Sequence, residues 1–454
     1  MNGYRCIACA EMQAVDFAGF LCPSCGGNLE ITYDYAVIAD DVAQGFGDRG
    51  NDMFRYAPLL PITKLDRPFP LRVGATPLYA APHLGESLGL RNVYLKDDTL
   101  NPSASIKDRA SAVALRRAIE TGAKTVAVAS TGNAGSSTAC LAAALGLQAI
   151  VFVPERAPVA KLTQSLTYGA TVLAVRGNYD AAFDLCLAAS DEFGWFNRST
   201  GFNPFTREGK KTCAYEIWES LGGRVPDRVV VPTGDGNLLS GIWKGWCDLQ
   251  AVGLIDRLPK IDCAQSEASA AISDTVRRMR AEDNPEPRWS AVVVDEVTAT
   301  TVADSISVDR PRDGLAAVQG VIRSGGEAVT ITDDEILRAI PEMATLAGVF
   351  AEPAAAAPWA ALGQMVRDGK IGSDDLIVCV VSGNGLKDIA GAQAAVGHPL
   401  TTDPTVEAVS DALARGANCA SSSNASITGS TRPSPTAAGR ACQPVTQSRA
   451  HRRE

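Results

Sequence analysis

The run Thr125-Val-Ala-Val-Ala-Ser-Thr-Gly-Asn-Ala-Gly-Ser-Ser137 decides the fold. Its first five residues, small and β-branched, read as a short buried strand over 125–129. The glycine-rich Ser130–Ser137 segment reads as a turn that opens a helix over 135–145. A strand feeding straight into a helix is half of a parallel crossover, and the same unit recurs on both sides of it. Strand candidates lie at 93–97, 149–153, 171–175, 228–232, 260–264 and 376–381. The helices between them include 108–121, 159–167, 179–192, 211–221 and 238–252. From residue 76 to about 395 this alternation predicts the α/β class, with open, mostly parallel sheets covered by helices on both faces. In such sheets ligands gather at the carboxyl ends of the strands.

Composition narrows the classes of function. The 454 residues are 46% hydrophobic and 20% charged, as expected of a soluble, core-forming chain. A net charge of -9 argues against a nucleic-acid partner. No apolar run approaches the roughly 18 residues of a membrane span, and the N-terminus lacks a signal-peptide core, so the cytoplasm is the expected location. The three histidines stand beside no motif, which disfavours histidine acid–base chemistry.

Residues 1–35 hold Cys6-Ile-Ala-Cys9 and Cys22-Pro-Ser-Cys25-Gly-Gly, a pair of knuckles with the spacing of a four-thiolate zinc ribbon. Cys6, Cys9, Cys22 and Cys25 would close all four positions, so the ion would be structural. The alternative is a ribbon that keeps its fold without metal. Residues 36–75 read as irregular to helical. Residues 401–454 read as a short helix near 405–415 followed by a Ser/Thr/Ala/Pro/Arg tail too poor in apolar side chains to stay ordered.

Four loops follow strands. In the first, Asn101-Pro-Ser-Ala-Ser-Ile-Lys-Asp-Arg109, Lys107 stands where an extended segment becomes a helix, and Asp108 suits that helix's positive end. The second, Ser130-Thr-Gly-Asn133 onward, offers hydroxyls and N–H groups to a carboxylate, and Asn133 offers an amide to a phenolic oxygen. The third, Pro232-Thr-Gly-Asp-Gly-Asn-Leu238, has glycines that admit a phosphate at a helix N-terminus. The fourth, Val381-Ser-Gly-Asn-Gly-Leu-Lys-Asp388, places the Ser382 hydroxyl at a strand end. Neither the second nor the third matches a dinucleotide fingerprint or a Walker loop. Each alone is what a strand-to-helix turn requires. Together they supply one lysine, a phosphate cradle, a carboxylate cradle and two polar handles, which is what an aldehyde cofactor carrying a phosphate needs.

In these motifs the chain resembles the pyridoxal-phosphate enzymes of the tryptophan-synthase-β type (fold type II), most closely the threonine synthases. The resemblance covers about residues 1–395. It also includes Phe54-Arg-Tyr56, Leu59-Leu-Pro61, Gly74-Ala-Thr-Pro-Leu78, Glu208-Gly-Lys-Lys-Thr212 and Glu352-Pro-Ala354. It implies a cysteine module at 1–35 and a catalytic region at 36–400 of two interleaved α/β lobes, the smaller near 110–200. By resemblance Lys107 would carry pyridoxal 5′-phosphate and act in catalysis. Asn133 would hold its 3′ oxygen, Gly234, Asp235, Gly236, Asn237 and Leu238 its phosphate, and Ser382 its ring nitrogen. Ser130 and Thr131 would take the substrate carboxylate. The implied reaction is O-phospho-L-homoserine plus water to L-threonine and phosphate, in a homodimer. Arg109, Lys210, Lys211 and Arg207 are the candidate cations for the departing phosphate, by position only. Lys210 and Lys211 read equally as a solvated helix start.

The departures from the pattern lie beside Lys107. Ile106 replaces the usual phenylalanine, Ala104 the usual glycine, and Ser382 and Asn384 replace a Thr-Gly-His-Gly form. They leave open a cysteate-synthase-like replacement on O-phospho-L-serine and a threonine-dehydratase-like activity; a catalytically retired regulatory homologue is the non-enzyme alternative, against which the intact Lys107, Asn133 and Ser382 argue.

Overall fold

In a computed structural model, the chain is described over residues 1–414 except 48, 64–67, 158 and 283–286. The tail expected to be disordered lies, from 415 on, outside the described residues. Met1–Val396 forms one compact unit that includes the cysteine module; a second unit begins at Gly397 and contains a helix over 406–414. No described helix is long and apolar enough to cross a membrane.

Two sheets carry the catalytic body. The larger runs Ala328–Ile331, Lys260–Ser266, Arg228–Pro232, Leu376–Val381, Asn92–Asp97 and Leu78–Ala80 in spatial order, parallel except for the last strand. The smaller is entirely parallel, in the order Thr171–Val175, Gln148–Pro154, Thr125–Ala129 and Phe196–Asn197. Both faces of the larger sheet are buried. Val229 and Val231 join one core while Val230 joins the other, as strand alternation requires. Continuous Val/Ile runs such as 228–231 are the signature of that double burial.

The strand and helix expectations hold with small shifts of boundary. The helix expected over 211–221 is Thr212–Ser220, and a short helix with no counterpart in the reading, Phe205–Lys210, precedes it and meets it at Lys211. The edge strand Ala328–Ile331 had no counterpart in the reading, because four residues of Ala-Val-Thr-Ile carry too short a pattern.

The cysteine module is a three-stranded antiparallel sheet of Met12–Gln13, Gly3–Cys6 and Leu29–Thr32. It is seated on the body by Tyr4 against the Phe205 ring, with centroids 6.4 Å apart. The Asn28 amide donates to Arg312 O (2.6 Å) and Asp313 Oδ1 (3.0 Å), and the Gln319 amide donates to Ile7 O (3.1 Å).

Candidate active site

The carboxyl ends of Asn92–Asp97, Leu376–Val381 and Arg228–Pro232 meet the end of Thr125–Ala129, so all four loops open toward one another. The Lys107 and Ser382 loops are joined by backbone hydrogen bonds: Ile106 N donates to Ser382 O (2.8 Å) and Asn384 N to Ala104 O (3.1 Å). This makes Ala104 adopt φ +65°, a left-handed conformation costly to any residue with a Cβ. Lys107 begins the helix Lys107–Glu120, and buried Asp108 secures its entry by accepting from Ser103 N (2.6 Å) and Ser103 Oγ (2.5 Å).

A cleft of about 390 Å³ lies at this meeting point. Of the residues singled out in the sequence, Lys107, Ser130, Thr131, Asn133, Gly234, Asp235, Leu238 and Ser382 line it. Gly236 and Asn237 stand behind its wall. Gly236 has φ +89°, and a Cβ there would lie 2.7 Å from Asp313 O, so only glycine fits. Asn237 starts the helix Asn237–Ala251; its amide donates to Asp313 Oδ2 (2.9 Å), and its carbonyl oxygen accepts from Lys210 Nζ (2.6 Å). A Cβ on Gly234 would meet Ile306 Cα at 2.9 Å, so the backbone of 234–238 can line the cleft only as glycine leaves it.

The expected phosphate cations are not in the cleft wall. Arg109 is fully buried, with its donors spent on Asp98 Oδ2 (Nε, 2.5 Å), Thr212 Oγ1 (Nη1, 2.9 Å), Glu216 Oε1 (Nη1, 2.7 Å) and Glu216 Oε2 (Nη2, 2.6 Å). Lys96 donates to the same Glu216 Oε2 at 2.7 Å. Burial alone would raise the Glu216 pKa, but Arg109 and Lys96 outweigh it and hold that carboxyl well below the usual range. Lys211 is held by Glu208 (2.6 Å) and Asp248 (2.7 Å), and Arg207 by Asp313. Among the described residues Lys210 Nζ donates to the Asn237 side-chain oxygen; burial, then the charge of Lys107, pushes its pKa well below the lysine range. Arginine and lysine at those positions thus build the scaffold beneath the loops instead of facing the cleft.

Several residues that sequence reasoning left without a role belong to the site. Buried Glu352 receives the Asn133 amide on both oxygens (2.9 and 3.0 Å), and burial raises its pKa. Arg198, fully buried, donates to Ser111 Oγ (3.0 Å), Thr200 Oγ1 (2.8 Å) and Lys107 O (3.4 Å); burial lowers its pKa to about 10. The loop 304–312 closes one side of the cleft and brings Arg310 and Arg312 to it. Its length and lack of apolar periodicity gave no signal in the sequence.

A lysine at the floor, an amide fixed by Glu352 and a glycine cradle at the start of a 15-residue helix form a donor set that fits an aldehyde carrying a phosphate. The family model "Pyridoxal-phosphate dependent enzyme" matches residues 70–383. The chain belongs to the pyridoxal-phosphate-dependent enzymes. Within them it is threonine-synthase-like. The threonine synthase of Methanocaldococcus jannaschii is 37% identical over 398 residues, 87% of this chain and 95% of that one. That of Methanosarcina acetivorans is 34% identical over 420 residues, covering 91% and 99%. Threonine deaminase isoform 2 of Solanum lycopersicum shares the fold, with a TM-score of 0.59 at 21% identity over 71% of this chain and 88% of its own. The threonine synthases place the chain with the pyridoxal-phosphate-dependent lyases and do not favour the cysteate-synthase or dehydratase alternatives; the shared fold is type II.

The cysteine module also holds a constellation. The Sγ atoms of Cys6, Cys9, Cys22 and Cys25 lie within 4.8 Å of one another, with Cys6–Cys25 at 3.5 Å and Cys9–Cys22 at 3.7 Å. Four thiolates about 2.3 Å from a tetrahedral zinc would stand roughly 3.8 Å apart. Each knuckle closes on a left-handed residue just after its second cysteine, Ala10 (φ +63°) and Gly26 (φ +70°). The donor set fits zinc.

Proposed function

We propose that this enzyme converts O-phospho-L-homoserine and water to L-threonine and phosphate. The observation that carries the reading is the convergence of Lys107, Ser130, Thr131, Asn133 and Ser382 on one cleft, in a chain whose curated relatives are threonine synthases. Pyridoxal phosphate supplies the electron sink that makes protons next to the amino-bearing carbon removable. The protein's own groups divide the remaining work. Lys107 holds the cofactor, and its Nζ, once free and neutral, takes and returns protons. The Ser130 and Thr131 hydroxyls orient the substrate carboxylate. Asn133, held by Glu352, fixes the ring through its phenolic oxygen. The Ser382 hydroxyl would hold the ring nitrogen, and a neutral partner there would leave that nitrogen largely unprotonated, which suits elimination and replacement. The start of Asn237–Ala251 holds the cofactor phosphate. The four-cysteine site is proposed to hold a structural zinc.

The test is product analysis with O-phospho-L-homoserine and O-phospho-L-serine in parallel. Threonine and equimolar phosphate from the first is the expected result; turnover of the second alone would replace the reading. Lys107→Ala should lose the visible absorption of the lysine-bound cofactor, and retention of that band would remove Lys107 from the role.

A further inference from the structure

If the substrate carries a phosphate, the cleft must hold a second anion besides the cofactor's. Its wall offers that anion little welcome: Asp180, Asp235, Asp304, Asp309 and Glu352 all line it. Only three cations among the described lining residues oppose them. Lys107 is committed to the cofactor. Arg310 pairs outward with Glu296 at 3.1 Å, both side chains 63% exposed at the rim. Arg312 is different. Its side chain is 23% exposed, its guanidinium carbon lies 3.8 Å from the centroid of the Phe183 ring, and its Nη2 donates to Asp180 Oδ1 at 2.9 Å. Its main chain is fixed as well, by Asn28 on Arg312 O and by Asp313 N on Asp235 O (2.9 Å).

This planar cation sits over an aromatic ring, with Nη2 toward a half-exposed carboxylate and its peptide tied to the phosphate-cradle loop. That arrangement leaves a guanidinium fork pre-set for a tetrahedral dianion. Resting on the reading above, we infer that Arg312 is the residue that recognises the substrate's phosphate, exchanging its bond to Asp180 for bonds to the phosphoryl oxygens. Asp180 is then a competitor for the same cation: it holds Arg312 in place when the cleft is empty and is displaced when phosphate enters. Arg312 thereby selects a phosphorylated amino acid over its free hydroxy counterpart.

Opposite effects of two substitutions test this in the holoenzyme, whose cofactor already fills the cradle. Inorganic phosphate is the probe, by calorimetric titration and as a product inhibitor; KM and kcat for O-phospho-L-homoserine are measured beside it. Arg312→Gln should weaken inorganic phosphate and raise KM by roughly 10- to 100-fold, the loss expected of charge-assisted hydrogen bonds, with a smaller change in kcat. Arg312→Lys should restore part of the affinity. Asp180→Asn should tighten phosphate binding. Retained cofactor absorbance confirms that each variant is folded. If Arg312→Gln leaves phosphate binding unchanged, or if Asp180→Asn weakens it as much as Arg312→Gln does, Arg312 is only a brace between lobes and the inference falls. If the wild type makes no threonine yet binds phosphate in an Arg312-dependent way, the substrate assignment fails while the phosphate subsite stands.

Discussion

Replacing Glu216 by glutamine should reveal how the first turn carrying Lys107 is held. Glu216, 5% exposed, accepts from Arg109, Lys96, Ala75 N (2.8 Å) and Thr76 N (3.2 Å). With Asp98, also on Arg109, the group holds two cations and two anions and is neutral in sum. Glutamine keeps the shape but leaves one buried positive charge uncompensated. It also turns an NH₂ group toward donors whichever way the amide is set. Breaking a buried pair on one side costs about 3–5 kcal/mol, and the loss should fall in that range by urea unfolding at pH 7. Adding Arg109→Met restores neutrality, with Lys96 and Asp98 remaining. The double variant should then cost less than the sum of the singles by about 2 kcal/mol or more. The pH dependence has a definite sign. A carboxyl depressed on folding contributes stability above its unfolded pKa of about 4.3, and that contribution is lost as pH falls through the lower folded value. The gap between wild type and Glu216→Gln should therefore be full at pH 6 and narrow below about pH 4.3. Additive single costs, or a gap that does not change with pH, would refute the account.

Other substitutions address the loops and the ribbon. Ala104→Gly relieves a left-handed alanine worth about 1–2 kcal/mol but adds about 0.5–1 kcal/mol of unfolded-chain freedom, so stability should rise by about 0.5–1 kcal/mol in urea titration. A drop would mean that the turn does not strain that residue. Gly236→Ala places a methyl against Asp313 O and should weaken cofactor binding by about 1–3 kcal/mol, read as the dissociation constant in equilibrium dialysis. Native mass spectrometry of the wild type should show one zinc per chain, and Cys9→Ser should lose it together with several degrees of thermal stability. An unaltered melting curve after chelation would make the ribbon indifferent to metal.

The sheet core was legible because its strands are buried on both faces and read as unbroken Val/Ile runs; the loops were legible because glycine at 234 and 236 is sterically required. The cations were not. Position along the chain nominated Arg109, but whether an arginine faces a cleft or a buried carboxylate depends on partners such as Glu216, 107 residues away. Glu352 stood in a motif with no assigned task until Asn133, 219 positions earlier, met it in space. Arg312 had no signal at all, since its distinction is a ring 3.8 Å beneath it. Helix and strand periods report one face of one element; charge pairing across two lobes is invisible to them.

The seat of the ribbon has a consequence for the order of assembly. Asn28 docks on Asp313, 285 residues further along, and Tyr4 waits for Phe205. A chain made from its N-terminus can close its four cysteines on a metal within the first thirty residues. The seat for that knob begins with Phe205 and is not complete until Gln319 has emerged. For most of synthesis the metal knuckle is a finished piece on an unfinished body, and the last turn it locks is the one that presents Arg312.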